Sequence, residues 1–224
     1  MSFVSTRNIS KVFGDPAKAV VALNNISLDI EEGEFLAIMG PSGSGKSTLL
    51  SILGAMNPPT HGEVVFQGTS LYSLSADELA DFRARYLGFV FQQLYLLPYL
   101  TAIQNVMLPL LVSKDYSSPW DTASNALQQV GLKDKVHRLP GELSTGEQAR
   151  VAVARALVKA PPLILADEPT GNLDSKTGED VIRLLKTAND RGHTIILVTH
   201  NQNIVREVGR FIYLHDGKIV TGNE

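Results

Sequence analysis

Glu34-Phe-Leu-Ala-Ile-Met39 runs directly into Gly40-Pro41-Ser42-Gly43-Ser44-Gly45-Lys46-Ser47-Thr48. A continuous apolar run of strand length ends in a Gly/Ser loop, and the residues after it, Thr48 to Leu53, have a helical pattern. The loop matches G-x-x-x-x-G-K-[ST] in the strand–loop–helix setting that this motif requires. Glycines let successive backbone N–H groups turn toward phosphate oxygens, and the helix start adds the positive end of its dipole. Lys46 then suits the β- and γ-phosphates, the Ser47 hydroxyl suits Mg²⁺, and Thr48 is within reach of an α-phosphate. A nucleoside triphosphate is the implied ligand.

The rest of the chain is organised around this unit. Short β-rich stretches from Phe3 to Ile30, broken by Gly14, Asp15, Pro16 and Asn24-Asn25, predict antiparallel strands. Further strands are expected at Val64 to Gln67 and Leu87 to Phe91, with a helix around Asp77 to Arg85. Leu163 to Ala166 and Thr194 to Val198 are short runs, almost wholly apolar, of the kind buried in parallel sheets. Between them Asp174 can cap a helix whose Val181, Leu184, Leu185 and Ala188 recur with helical spacing until Gly192. Asp216-Gly217 between two apolar stretches predicts a hairpin. From about 93 to 160 the patterns are helical, with breaks expected at prolines 98, 109, 119 and 140. The expected architecture is one α/β domain over 1–224. It has a P-loop NTPase core with a mainly parallel sheet, an N-terminal antiparallel β subdomain and a helical subdomain inserted at about 93–160.

Composition narrows the function. With 224 residues and 44% hydrophobic content the chain can bury a substantial core. Twenty Lys plus Arg against 23 Asp plus Glu, with no long basic run, argue against a nucleic-acid partner. The absence of Cys removes thiolate metal sites and thiol nucleophiles. The opening MSFVSTRNIS does not resemble a signal peptide, and Val106 to Val112 is far too short to span a bilayer, so membrane association is expected to come through a partner.

Three further groups carry chemistry. Asp167 and Glu168 end the apolar run 163–166, where ligands of open α/β sheets sit. Extended geometry should turn them to opposite sides, Asp167 toward Mg²⁺ and Glu168 toward the attacking water. Gln92 and His200 also follow predicted strands; Gln92 could reach Mg²⁺ and water, and His200 the γ-phosphate. Ser144 and Glu147 form an S-x-x-E capping box at the start of a helix with Ala149, Ala152, Val153, Ala156, Leu157 and Ala160 on one face. That helix start either just begins a core helix or, if it lies on the outside, offers an anion site to a phosphate held by another chain.

Taken together, GPSGSGKST at 40–48, Gln92, LSTGEQ at 143–148, LILADEP at 163–169, NLD at 172–174 and His200 resemble, in order, the nucleotide-binding subunit of ABC transporters. The resemblance covers essentially the whole chain. It implies an ATPase, with ATP and Mg²⁺, in which two copies bind two ATP molecules head to tail. It further implies that Ser144, Gly146 and Glu147 face the partner's γ-phosphate, that Asp174 lies in the crossing segment, and that Phe13 stacks on adenine. Thr145 departs from the family's usual Gly. A β-branched residue tolerates positive φ poorly, so an altered signature loop and slower turnover are expected.

FVFQQLYLLPYLTAIQNVMLPLL and ADEPTGNLDS look like the lipoprotein-releasing and macrolide-exporter group. This implies an integral membrane permease as partner, with a periplasmic adaptor reached through it, and a place on the cytoplasmic face of the cell membrane. The permease would dock near Leu94, Tyr95, Leu96, Leu97, Tyr99 and Leu100. An alternative is a regulatory ABC ATPase acting on a cell-division or other membrane protein without moving cargo.

Overall fold

The structure, a computed structural model, describes residues 2–15, 18–112, 117–201, 204 and 207–220. The chain divides into two compact units, Met1–Arg83 with Thr194–Glu224, and Ala84–His193.

In the first unit, β1 (Val4–Phe13) and β2 (Val20–Ile30) pair antiparallel, and β1 also pairs antiparallel with β4 (His61–Phe66). A two-residue strand β5 (Thr69–Ser70) closes the order β2-β1-β4-β5. The β4–β5 turn, Gln67-Gly68, has both residues at positive φ (46° and 82°), as a tight hairpin requires, although Gln is an unusual residue there. A second sheet is built on β3 (Phe35–Met39), parallel to β8 (Thr194–Val198) and to β9 (Arg210–His215). Every residue of β3 and β8 is buried, and apart from Thr194, whose hydroxyl accepts from Gly33 N–H (2.9 Å), all are apolar. β10 (Lys218–Val220) returns antiparallel to β9 through Asp216 (φ 45°) and Gly217 (φ 71°), the expected hairpin. The phosphate-loop helix α1 (Lys46–Leu53) follows β3 and starts two residues before the expected Thr48.

α2 (Ala76–Tyr86) leads into the second unit. There β6 (Leu87–Val90) and β7 (Leu163–Asp167) are parallel, and between them lie α3 (Ala102–Val112), α4 (Pro119–Gln129) and α5 (Thr145–Leu157). No strand occurs from 93 to 160 among the described residues. The expected break at Pro109 is absent. Pro109 lies inside α3, lacking only the N–H that would donate four residues back, and α3 continues to Val112. Pro119 opens α4 and Pro140 opens a short 3-10 turn, positions where a missing N–H costs little.

α5 packs against α3, α4 and α6 (Ser175–Asp190), and this contact on several sides buries Val151 and Ala154 as well as the expected Ala149, Ala152, Val153 and Ala156. Leu157 is only half-buried, and Ala160, past the helix end, is exposed. On α6 the buried stripe is Val181, Ile182, Leu185 and Ala188, with Leu184 half-buried beside it.

Candidate functional site

The phosphate loop is a cradle shaped by three glycines at positive φ, Gly40 (145°), Gly43 (80°) and Gly45 (102°). A Cβ on Gly40 would lie 2.0 Å from the Leu214 carbonyl oxygen, and one on Gly45 would lie 2.4 Å from that of Ala22, so β9 and β2 press on the loop from behind. Gly217 extends this support. Its N–H donates to the Ser44 carbonyl (3.0 Å), and its own carbonyl accepts from Asn24 N–H (2.8 Å). Pro41, Ser42, Gly43 and Ser47 are exposed, whereas Lys46 is only 5% exposed. The Lys46 ammonium donates to the carbonyls of Gly40 and Pro41, each at 2.9 Å, and so spans the loop itself. Gly45 caps α1 without a side-chain acceptor and the first turn has no acid, which leaves this helix start suited to an anion. Thr48 is half-buried. Phe13 stands exposed at the end of β1, and His200 is exposed just beyond β8.

In the second unit, Asp167 is the last residue of β7 and is half-buried. Glu168 is not extended: its φ is 43°, so the simple strand alternation expected for the acid pair stops at Asp167. A left-handed glutamate is a strained conformation, worth roughly 1–2 kcal/mol, of the kind that collects at functional positions. The turn it opens is closed by Gly171 N–H donating to the Glu168 carbonyl (3.0 Å). A Cβ on Gly171 would sit 3.2 Å from Gln92 Nε2 and 3.5 Å from Glu168 Oε2, so this glycine lies where the Gln92 amide and the Glu168 carboxylate converge. In the sequence, only its position three residues after Glu168 points to Gly171.

The capping box at α5 forms as expected. Ser144 Oγ accepts from Glu147 N–H (3.2 Å), and the Glu147 carboxylate accepts from Ser144 N–H (2.9 Å), with Lys135 Nζ 3.6 Å away. Ser144 and Thr145 are exposed. An accepting hydroxyl still carries its own O–H, so Ser144 can donate outward while it caps. The Ser144 N–H that Glu147 captures holds its carboxylate below the usual range. Thr145 is the first residue of α5 and is not among the residues at positive φ, so the strain expected of a β-branched residue there does not arise. Gly146 has a different constraint: its Cβ would lie 2.3 Å from Thr177 Cγ2, so the glycine lets α5 approach the start of α6. Asp174 caps α6, accepting from Thr177 N–H (3.1 Å) and Thr177 Oγ1 (2.6 Å), and these bonds depress its pKa.

Beyond Gln92, the segment 94–100 is held from two sides. Arg155 donates to the carbonyls of Leu94 (2.6 Å) and Tyr95 (2.7 Å). The fully buried Asn105 amide satisfies Leu97 N–H and the carbonyls of Leu97, Leu100 and Thr101. Thus anchored, the segment keeps Tyr95, Leu97 and Tyr99 in solvent, Tyr99 at 91% exposure. Leu94, Leu96 and Leu100 are half-buried. A cavity of about 510 Å³ opens beside it, lined among others by Gln92, Tyr95, Pro98, Thr145 and Gln148.

A glycine-built phosphate cradle after a buried strand, an acid pair ending another, and a capped LSTGEQ helix together define an ATP-binding cassette. The chain belongs to the ABC transporter family, whose profile matches residues 23–171. It is 44% identical to the lipoprotein-releasing system ATP-binding protein LolD of Myxococcus xanthus, over 98% of this chain and 99% of that one. It is 47% identical to the macrolide export ATP-binding/permease protein MacB of Bdellovibrio bacteriovorus, over 96% of this chain but only 33% of that larger protein. Among solved structures it matches the dimeric post-hydrolysis state of the ATP-binding cassette MJ0796 bound to ADP and Pi, with a TM-score of 0.91 and 44% identity over 99% of this chain and 98% of that one. Among the described residues, no helix is long and apolar enough to cross a membrane.

Proposed function

We propose that the chain hydrolyses ATP as a homodimer and so drives a separate membrane permease of lipoprotein-releasing or macrolide-export type, from the cytoplasmic face of the membrane. The observation that carries this is the exposed start of α5, where the Ser144 hydroxyl caps the helix and keeps an O–H to donate. A helix start of this kind in a chain that also holds a phosphate loop suits a triphosphate shared between two copies. The relatives, an ATP-binding protein of a lipoprotein-releasing system and a macrolide export ATP-binding/permease protein, support the transport setting.

Each residue then has a task. The loop 40–48 binds phosphate oxygens through backbone N–H groups, and Lys46 exchanges its two loop carbonyls for β- and γ-phosphate oxygens. Ser47, Gln92 and Asp167 supply only oxygen donors, a set that fits Mg²⁺, and would hold it. When bound with ATP, Mg²⁺ neutralises charge on the phosphates. Glu168 orients the attacking water and accepts its proton, and His200 donates to the γ-phosphate. Ser144 and Gly146 receive the γ-phosphate of the partner copy, with Glu147 locking the helix start and Asp174 in the crossing segment. Phe13 stacks on adenine. The exposed Tyr95, Leu97 and Tyr99 form the permease-docking surface, and a periplasmic adaptor is reached through that permease.

Glu168→Gln tests the core of this reading. It keeps size and hydrogen bonding but cannot accept the proton, so ATP should still bind while turnover falls by roughly 100-fold or more, and a dimer should accumulate in sedimentation experiments with ATP. Unchanged turnover would remove Glu168 from the reaction.

A further inference from the structure

Phe13 ends β1 and is 44% exposed, opposite Val20, which is itself 64% exposed. A lone aromatic at a strand end has no packing to fix its ring, yet here one side of the ring is occupied. Lys11 Nζ lies 5.0 Å from the ring centroid, in cation–π range.

The ammonium is itself anchored, donating to the Pro58 carbonyl at 2.7 Å. The same stretch of β1 is stitched to the residues before β4 by Val12 N–H donating to Thr60 Oγ1 (3.0 Å) and Thr60 N–H donating to the Ser10 carbonyl (2.8 Å). Among the described residues no carboxylate forms an ion pair with Lys11, so its charge is directed at a carbonyl dipole and the ring.

We propose that Lys11 is a positioning residue for nucleotide recognition: by covering one face of Phe13 it fixes the ring and leaves the opposite face as the platform for the base, giving a cation–ring–base stack. This rests on the reading of Phe13 as the adenine platform and adds the residue that orients it. The cation draws electron density from the ring's far face and removes the ring's freedom to turn, and both effects favour a stacked purine over solvent. The contribution belongs to the base, not to the phosphates.

Calorimetric titration with ADP and, separately, with inorganic pyrophosphate distinguishes these. Lys11→Met, which keeps the stem and removes the charge, should weaken ADP binding by roughly 2- to 5-fold and leave pyrophosphate binding unchanged. Lys11→Arg should restore ADP affinity, since a guanidinium also stacks on an aromatic face. In a Phe13→Ala background, Lys11→Met should add nothing. Equal weakening of ADP and pyrophosphate, an effect that persists without Phe13, or no effect while Phe13→Ala still weakens ADP would each overturn the inference and leave the platform reading standing. If Phe13→Ala itself leaves ADP affinity unchanged, the platform reading fails and the inference with it.

Discussion

Gly146 shows how one residue position can carry two constraints. Its place in LSTGEQ is the ground for proposing it as a γ-phosphate contact, but the fold needs a glycine there for a local reason, because Thr177 Cγ2 occupies the space of a side chain. Thr177 cannot swing away freely, since its Oγ1 bonds the Asp174 carboxylate and its χ1 is stiff. Gly146→Ala should therefore destabilise the protein by about 1–3 kcal/mol in urea unfolding. Adding Thr177→Ser removes the obstructing methyl and keeps the hydroxyl for Asp174. With the clash gone, alanine's better helix propensity, about 1 kcal/mol over glycine, should return the double variant close to wild type. If Thr177→Ser gives no rescue, the constraint at 146 is not this contact. Nothing in the sequence announces the pair. A glycine two residues after the capping Ser144 reads as part of the motif, and its neighbour is 31 positions away. Gly171 and the buried Asn105 were hidden for the same reason: each acts on residues that only the fold brings near. The left-handed turn at Glu168 was equally invisible, because a DEP tripeptide after an apolar strand carries no signal of φ.

Among the elements, legibility follows how local the cause is. The strand–loop–helix of β3 and α1, the Asp216-Gly217 hairpin and the caps at Ser144 and Asp174 are set by residues within a few positions, and each forms as read. What the hairpin does, bracing the phosphate loop through Gly217 and Ser44, is non-local and leaves no mark in the sequence. Pro109 inside α3 and the many-sided burial of α5 depend on what packs around a helix, which periodicity along one face does not report. The caps also carry a pH dependence. Glu78, Glu142 and Glu147 are held below the usual range chiefly by capped backbone N–H groups, and Asp174 chiefly by the Thr177 hydroxyl. Because each pKa is lower in the folded chain than in the unfolded one, the stability they contribute is present above the unfolded value, about pH 4. It drains as pH falls through the lowered folded value. Glu147→Gln keeps the acceptor and loses the charge. Its stability deficit against wild type should be largest near neutral pH and shrink below about pH 4, measured by urea unfolding across that range. A deficit independent of pH would mean that the cap does not act through the carboxylate.

For the whole molecule, the decisive question is whether one copy suffices. The start of α5 is exposed, and its Ser144 retains a donor after capping, so within one chain this hydroxyl is left available to a ligand from outside. If two copies meet head to tail, symmetry makes each copy give a phosphate loop to one site and a Ser144 to the other. Lys46→Ala removes the ammonium that spans the loop, and Ser144→Arg places bulk where the second copy's phosphate would sit. Either variant alone builds no intact composite site. In an equal mixture, half of the dimers pair one variant with the other, and each of these has one site with both a sound loop and a sound Ser144, so about a quarter of wild-type sites return. Hydrolysis by the mixture should therefore rise clearly above the average of the two separate variants and scale with dimer concentration. A chain that acts alone has no route to this rescue, and its mixture would show only that average.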